Sequence, residues 1–355
     1  MNILYIIPSF RKSGPVNVCL SLAKNISEND TVSVLAFGGG DAIHDFSIYC
    51  KSVNIIPFWS IAAIYKFISN QKFDIIHSHC LLPDFLLCVM SYLMPMKKFI
   101  TISTIHNYID VDYVLSKGFF IGSLMGIMNR SSLKRLDSII SCSKSVADYC
   151  RENYKIESSS ISNGVSSVSD CLISKKKEGV DFYYLGVINE RKNVDFLISA
   201  FHMYKKKYNN NDRLHIIGGG HGLDILQLDN DCGYIIFHGV QAKPHAIIAS
   251  LDVYVSSSKA EGMPLALLES LSCGKPYICS DIPPHEEVDH VVGYGIICKL
   301  SQLEYIEAFY RSREWNFIEL SDKIRNIFSE NYSDIIMAKK YKEKYDWLRS
   351  GKHEK

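Results

Sequence analysis

Several features that would assign the chain to a specialised class are missing from its 355 residues. The net charge is only +1, so the composition lacks the basic excess expected of a nucleic-acid-binding protein. The longest mainly apolar runs, Phe85–Met94 and Phe119–Met128, have ten residues each, whereas a membrane-spanning helix needs about 20. No basic segment precedes the apolar start MNILYIIPSF, so we do not expect a signal peptide. The chain also shows no repeat or low-complexity tract.

The cysteines give no sign of a disulfide framework. There are eleven of them, an odd number, and no two form a Cys-x-x-Cys pair. Cys88, Cys279 and Cys298 lie in apolar runs, where a thiol behaves as a small hydrophobic group. This usage is typical of a reducing compartment, and we expect a cytoplasmic protein.

Predicted strands and helices alternate in two successive series, and apolar residues make up 47% of the chain, enough for full cores. This order predicts an α/β protein in which each series forms a parallel sheet covered by helices. A polar segment without periodicity, Ser174–Gly179, is interpreted as the linker between them. The predicted domains are residues 1–173 and 180–330, followed by a helix at about residues 331–350. The predicted strands are Asn2–Ile7, Thr31–Phe37, Asp74–His79, Phe99–Ile105 and Asp137–Ser141 in the first series, and Asp181–Leu185, Leu214–Ile217, Ile235–Phe237, Leu251–Val255 and Tyr277–Cys279 in the second.

The most informative segment is Lys259–Pro276, KAEGMPLALLESLSCGKP. Pro264 suits the first turn of a helix, and Gly274 suits a left-handed cap at its end. A helix that begins in such a turn presents free N–H groups and its positive dipole end to an anion. Glu261 and Glu269, eight positions apart, flank this anion site and are placed to bind hydroxyl groups. These are the requirements for holding a nucleotide sugar.

An isolated pair of glutamates at this spacing more often marks solvated carboxylates on an amphipathic helix. The flanking EGMPLALLE and CGKP residues favour function, because the whole segment resembles the Glu-x7-Glu motif of retaining GT-B glycosyltransferases of family 4. The resemblance implies two Rossmann-like domains facing each other across a cleft, with a C-terminal helix crossing back to the first domain. It also implies transfer of a sugar from a nucleoside-diphosphate sugar to a saccharide or lipid-linked acceptor, without a metal or other cofactor. Bacterial members of the family often build surface polysaccharides.

The resemblance also assigns roles in the second domain. Lys192 matches the family lysine that neutralises the departing diphosphate, although a solvated loop lysine is the alternative. Val187 stands where the family has an arginine, and whether Arg191 replaces it stays open. Glu269 is expected to bind the ribose and Glu261 to face the sugar. The remaining donor-binding residues that the resemblance implies are Met263, Pro264 and Leu265 in the turn, Gly218 and Gly220 in a glycine cluster that also resembles an ordinary turn, and Val240.

In the first domain, His106 follows a predicted strand, where open α/β sheets place residues that contact ligands. The family has a histidine there that reaches the transferred sugar, so His106 is a candidate catalytic residue with Lys192 and Glu261. Gly14 matches one of two family glycines near the donor. His77 and His79 resemble a family pair, and we expect them to be structural.

The segment Tyr113–Leu136 carries basic but no acidic residues and several large apolar ones. It suits either peripheral contact with the inner membrane or a core-facing helix with a solvated end. Two other functions remain open: a nucleotide-sugar 2-epimerase of the same fold, and a sugar-nucleotide-binding protein without catalysis. We expect no nucleic-acid partner, and the sequence does not identify the base, the sugar or the acceptor.

Overall fold

The structure is a computed structural model that describes residues 1–96, 98–168, 178–220, 223, 226–227 and 232–351. It consists of two compact units. The first contains Met1–Gly164 and the chain from Asp334 onward, and the second contains Val165–Ser333. Val165 belongs to the second unit because its N–H donates to the carbonyl of Tyr332 at 3.1 Å. Residues 174–177 of the predicted linker lie outside the described residues.

The first unit is built on a seven-stranded sheet in the order β3-β2-β1-β4-β5-β6-β7, with every pairing parallel. Parallel neighbours require crossover connections, which helices provide. The strands are β1 (Asn2–Ile7), β2 (Thr31–Ala36), β3 (Ser52–Ile55), β4 (Ile75–His79), β5 (Ile100–Ile105), β6 (Ser138–Ser141) and β7 (Ser159–Ser160). The helices are α1 (Gly14–Ile26), α2 (Ile43–Tyr49), α3 (Ile61–Ser69), α4 (Leu81–Leu93), α5 (Ile109–Lys117), α6 (Phe119–Leu133) and α7 (Lys144–Tyr154).

The second unit has a six-stranded parallel sheet in the order β10-β9-β8-β11-β12-β13. Its central strand β8 is buried at every position, as expected for a parallel sheet covered on both faces. The strands are β8 (Asp181–Leu185), β9 (Arg213–Ile217), β10 (Ile235–Gly239), β11 (Val253–Ser256), β12 (Tyr277–Ser280) and β13 (Gly295–Cys298). The helices are α8 (Val194–Tyr208), α9 (His245–Ile248), α10 (Leu265–Ser272), α11 (Pro283–Val292), α12 (Gln302–Ser312) and α13 (Phe317–Asn331).

The last helix, α14 (Asp334–Arg349), returns to the first unit, which confirms the predicted crossing back. It packs against α1, where Lys24 Nζ lies 3.3 Å from Asp334 Oδ2. Its tyrosines Tyr341 and Tyr345 are buried under the sheet of the first unit. Among the described residues, none of the helices combines the length and hydrophobicity needed to cross a bilayer.

Candidate active site

Two loops of the second unit lie at the carboxyl ends of the neighbouring strands β8 and β11 and are joined by hydrogen bonds. The N–H of Lys259 donates to the carbonyl of Arg191 at 2.8 Å. The Ser257 hydroxyl donates to the carbonyls of Lys192 (3.2 Å) and Asn193 (2.9 Å), and Asn193 has a left-handed backbone with φ of 55°. This edge of a parallel sheet is where open α/β folds bind ligands.

The buried carboxylate of Glu261 is the centre of a charged cluster on these loops. Lys192 Nζ and the Ser258 hydroxyl donate to its Oε1, the latter at 2.8 Å, and Arg191 Nη1 donates to its Oε2 at 2.9 Å. The Glu261 side chain is 7% exposed and that of Lys192 14%. The structure therefore brings together three residues that the sequence proposed for the site.

The pKa of Glu261 reflects two opposed effects. Burial raises it, because a carboxylate loses its hydration, but the charges of Lys192 and Arg191 together outweigh burial and lower the pKa to about 2. Glu261 is therefore ionised at neutral pH. It cannot act as a general acid there.

Arg191 holds the cluster together through hydrogen bonds from its guanidinium group. Its Nη1 donates to the carbonyl of Ala260 at 2.7 Å as well as to Glu261. Val187, which stands at the position of the expected arginine, has a largely exposed side chain, and its carbonyl accepts a hydrogen bond from the Tyr184 hydroxyl at 2.8 Å. The guanidinium of Arg191 thus braces Glu261 and the adjoining backbone.

Glu269 lies on α10, close enough to Lys192 for the ammonium charge to act on it. Burial raises its pKa to about 7, although Lys192 opposes the shift. Among the residues that the structure describes, none donates a hydrogen bond to its carboxylate, in contrast to Glu261. The half-buried carboxylate of Glu269 is therefore available to a ligand near the ammonium group of Lys192.

The turn before α10 is formed by buried residues. Met263 and Pro264 are buried and Leu265 is half-buried. Pro264 lies one position before the first helical residue, not inside the first turn as predicted, because its ψ of 83° is not helical. Gly274 ends the helix as predicted, with φ of 70°.

The glycine cluster is needed first of all for backbone packing. A Cβ on Gly218 would lie 1.8 Å from the carbonyl oxygen of Gly186, and one on Gly220 would lie 2.0 Å from that of Ile188. The loop after β9 therefore lies directly against the loop after β8, which only glycine permits. Val240 beside it is 82% exposed. His221 and Gly222 of the cluster lie outside the described residues.

Sequence reasoning missed a polar chain behind Glu261. The Ser280 hydroxyl donates to the carbonyl of Ser258 at 2.6 Å, and His285 Nδ1 lies 2.9 Å from the carbonyl of Ser280. Burial lowers the pKa of His285 to about 4, although Glu261 opposes the shift. The serines at the ends of β11 and β12 were the available signal, since polar residues at that edge often belong to a site.

In the first unit, His106 follows β5 and pairs with His79, the last residue of β4, through His79 Nδ1 and His106 Nε2 at 2.9 Å. The His77 and His79 rings are stacked, with centroids 4.5 Å apart. Burial lowers the pKa of His106 to about 3, so the imidazole is neutral at physiological pH. Gly14 is the first residue of α1.

Comparisons with known proteins agree with this architecture. Residues 12–167 match the family described as Glycosyltransferase Family 4, and residues 179–310 match Glycosyl transferases group 1. The two parallel α/β units have the GT-B fold. The chain is a member of the group 1 and family 4 glycosyltransferases, which the two matches cover in succession.

Individual relatives span nearly the whole chain. It is 26% identical over 367 aligned residues to the O-antigen biosynthesis glycosyltransferase WclY of Escherichia coli, covering 98% of this chain and 99% of the relative. The sucrose-phosphate synthase of Thermosynechococcus elongatus has a similar fold (TM-score 0.81, 16% identity, 99% of both chains). So does Anabaena Alr3699/HepE, solved in complex with UDP-glucose (TM-score 0.80, 13% identity, 98% of this chain and 99% of that one).

Proposed function

We propose that the protein is a retaining, metal-independent glycosyltransferase that uses a nucleoside-diphosphate sugar. The observation that carries this proposal is the charge of the cluster. Lys192 and Arg191 supply two positive charges and Glu261 one negative charge, and Glu269 forms no ion pair with either cation in the described part of the chain. A partly buried excess of positive charge is costly unless an anion neutralises it. A diphosphate meets that requirement.

The hydrogen-bond capacity of Glu261 supports a contact with the transferred sugar. Each carboxylate oxygen can accept about two hydrogen bonds. Oε1 already accepts from Lys192 and Ser258, whereas Arg191 takes one position on Oε2. Oε2 can therefore accept one more hydrogen bond, which we assign to a sugar hydroxyl. In the same arrangement Glu269 accepts hydrogen bonds from the ribose, and the turn Met263–Leu265 lies beside the donor.

The low pKa of Glu261 also restricts the chemistry. An ionised carboxylate held by two cations is a poor proton donor and a weakened nucleophile. Proton removal from the acceptor is therefore assigned to the departing phosphate, while Lys192 stabilises the negative charge that develops on it. His106 contributes a neutral contact to the transferred sugar. Attack occurs on the face from which the diphosphate leaves, and the anomeric configuration is retained.

The acceptor is proposed to be a saccharide or lipid-linked saccharide of a bacterial surface polysaccharide. Support comes from the likeness to WclY, which spans almost all of both chains. The 2-epimerase alternative has less support, because the relative that spans almost all of both chains is named as a glycosyltransferase.

A lipid-linked acceptor would make contact with an anionic membrane useful, and α6 offers a suitable surface. Its exposed apolar side chains include Phe119, Phe120 and Leu124, and Phe120 is 86% exposed. Exposed basic residues, Lys117 before the helix and Lys134 after it, flank this face. Such a face with basic borders binds anionic bilayers. In a sedimentation assay the wild-type protein should pellet with phosphatidylglycerol vesicles, whereas F120E should stay in the supernatant. Neither protein should pellet with phosphatidylcholine vesicles. Equal pelleting of F120E and the wild type would refute this contact.

The donor can be identified by thermal stability with UDP-, GDP-, ADP- and dTDP-linked sugars. A ligand at 100 times its dissociation constant stabilises the folded protein by about 2.7 kcal/mol. The stabilising donor should then support transfer with retained anomeric configuration in NMR of the product, and the rate should be unchanged by a chelator. Stabilisation without transfer to any saccharide acceptor would favour a binding protein. Loss of the rate with chelator would overturn metal independence.

A further inference from the structure

Three imidazoles of the first unit form a stack at the carboxyl ends of β4 and β5. His77 and His79 are separated by 4.5 Å between ring centroids, and His79 and His106 by 5.1 Å. His77 and His79 are fully buried, whereas His106 is partly exposed. His106 is therefore the member of the stack that a ligand can reach, and the other two can act only through it.

The inner ring of the stack is fixed from both sides. His77 Nδ1 lies 2.6 Å from the hydroxyl of Tyr345, and its Nε2 lies 2.8 Å from the hydroxyl of Thr104. The Thr104 hydroxyl in turn lies 3.0 Å from that of Tyr341. Both nitrogens of His77 are thus occupied, so its ring cannot rotate without losing a hydrogen bond. The ring of His79 stacks on the fixed ring of His77.

His79 has one partner for its two ring nitrogens. Its Nδ1 bonds to His106 Nε2 at 2.9 Å, whereas its Nε2 is buried and bonds to no group within the described ranges. A neutral imidazole carries one N–H and one lone pair. A buried N–H without a partner is rarer in proteins than an unsatisfied acceptor. The proton of His79 therefore belongs on Nδ1, where it is donated to His106.

We propose that His79 is a positioning residue that holds His106 in the tautomer with its proton on Nδ1. Because His106 Nε2 accepts the proton of His79, the neutral ring of His106 has its own N–H at Nδ1, for which the described part of the chain supplies no acceptor. His106 then offers a hydrogen-bond donor to an oxygen of the sugar substrate, not a basic nitrogen. This inference rests on the proposed function for the identity of that substrate.

The tautomer can be read directly by long-range ¹H–¹⁵N NMR of histidine-labelled full-length protein, with H106N identifying the signals of His106. Wild-type His106 should show a protonated Nδ1 and an unprotonated Nε2. H79L should shift His106 to a mixture of tautomers, while H290L, at an exposed histidine of α11, should leave its signals unchanged. A wild-type His106 protonated on Nε2, or unchanged His106 signals in H79L, would overturn the proposal.

Kinetics supply a second measurement. H79L should lower kcat on the order of 10-fold with little change in KM, as expected for loss of an outer partner that orients a site residue. H79N keeps an amide donor near the position of Nδ1 and should restore most of the rate; equal losses in H79N and H79L would count against the donor role. The NMR measurement requires neither a donor nor sugar transfer. It therefore determines the tautomer of His106 even if the proposed function is wrong. If H79L does not fold, the wild-type and H79N spectra still decide it.

Discussion

The charged cluster of the second unit and the imidazole stack of the first unit both lie at the carboxyl ends of strands in a parallel sheet, yet the central group is charged in the first and neutral in the second. Glu261 keeps its charge because Lys192 and Arg191 compensate for its lost hydration. His79 and His106 have no acidic partner in their stack, and burial lowers their pKa values so that they are neutral. Whether a buried group is charged therefore depends on the charges of its partners and not on how deeply it is buried.

This difference gives the two sites different ligand chemistry. A cluster with excess positive charge is suited to a diphosphate, whose charge it can neutralise. Neutral imidazoles are suited to hydroxyl groups, because they form directional hydrogen bonds without demanding a counterion. In the proposed reaction the first site would bind the diphosphate of the donor and the second the hydroxyl groups of the sugar. The comparison can be tested by removing charge from one region and by changing the pH of both.

The largest effect is expected for K192A. Loss of the ammonium removes the group proposed to stabilise the departing diphosphate, and losing one such donor typically lowers kcat on the order of 10²–10³-fold. Steady-state transfer kinetics with the identified donor would measure it, and KM for the donor should change much less than kcat. The effect is in the chemical step because the charge on the phosphate grows only as the glycosidic bond breaks.

K259A is the matched control for this lysine. Lys259 lies on the neighbouring loop but forms only an exposed pair with Glu190, with Nζ to Oε1 at 3.7 Å. Exposed pairs of this kind contribute little, so K259A should behave like the wild type. Equal losses of kcat in K192A and K259A would mean that Lys192 does not stabilise the departing diphosphate. The proposed difference in ligand chemistry between the two regions would then be wrong.

The second prediction concerns pH and donor affinity. The ionised carboxylate of Glu269 is proposed to accept hydrogen bonds from the ribose, and burial raises its pKa to about 7. As the pH falls through 7, Glu269 becomes protonated, and the dissociation constant of the donor should rise by up to about tenfold per pH unit. Calorimetric titration between pH 5.5 and 8 measures this slope. E269Q should bind the donor more weakly and without that slope.

The same titration separates the two regions. Glu261, with a pKa of about 2, and His106, with one of about 3, do not change protonation in this range. A slope that persisted in E269Q would therefore have to come from another group. In that case the assignment of Glu269 to the ribose would be wrong.

The fold was largely predictable because its signals are local. Alternating apolar runs and helical patterns indicated two parallel α/β units, and β8 was predicted to the residue at Asp181–Leu185. The edge strands β3, β7 and β13 were missed. Each has four residues or fewer and is incompletely buried, so none produces a clear apolar run. Edge strands pack against fewer neighbours, which leaves less pattern in their sequence.

The residues of the site were proposed from two sources, whereas their contacts were not predicted. Local rules indicated a helix start and an anion site around Glu261 and Glu269, and the family resemblance implied roles for these acids, Lys192 and His106. The bond from Arg191 to Glu261 joins residues 70 positions apart, and that from His77 to Tyr345 joins residues 268 apart. Such pairs depend on which strands become neighbours, which a single sequence does not encode in any short pattern. The roles of Lys192, Glu261 and His106 stay predictions until they are tested.

The smallest predicted effect is a difference in acid stability between the units. Each fully buried neutral histidine binds its proton only on unfolding, so its stabilising contribution is lost as the pH falls below about 6.5. At pH 5.5 this costs about 1.4 kcal/mol per residue. His77 and His79 impose this loss on the first unit, and the lowered pKa of His106 adds to it. In the second unit His285 imposes it, and the pKa values of His238 and His245 are also lowered by burial. Raised carboxyl pKa values act in the opposite direction: Asp84 (about 6) in the first unit and Glu269 (about 7) in the second gain stability on acidification.

The balance predicts that acidification from pH 7 to 5.5 destabilises the first unit more than the second. Three strongly shifted histidines against one carboxyl leave a net loss in the first unit. In the second unit Glu269 nearly offsets His285, and the pKa shifts of His238 and His245 are smaller. Glu261 adds nothing in this range, because the stability from its lowered pKa is lost only as the pH falls from about 4.5 towards 2. Hydrogen exchange at pH 7 and 5.5, corrected for intrinsic rates, compares protection in β4 and β5 with that in β8 and β11. Equal losses in both pairs of strands would mean that the buried imidazoles do not resist protonation, and the neutral character assigned to the stack would fail.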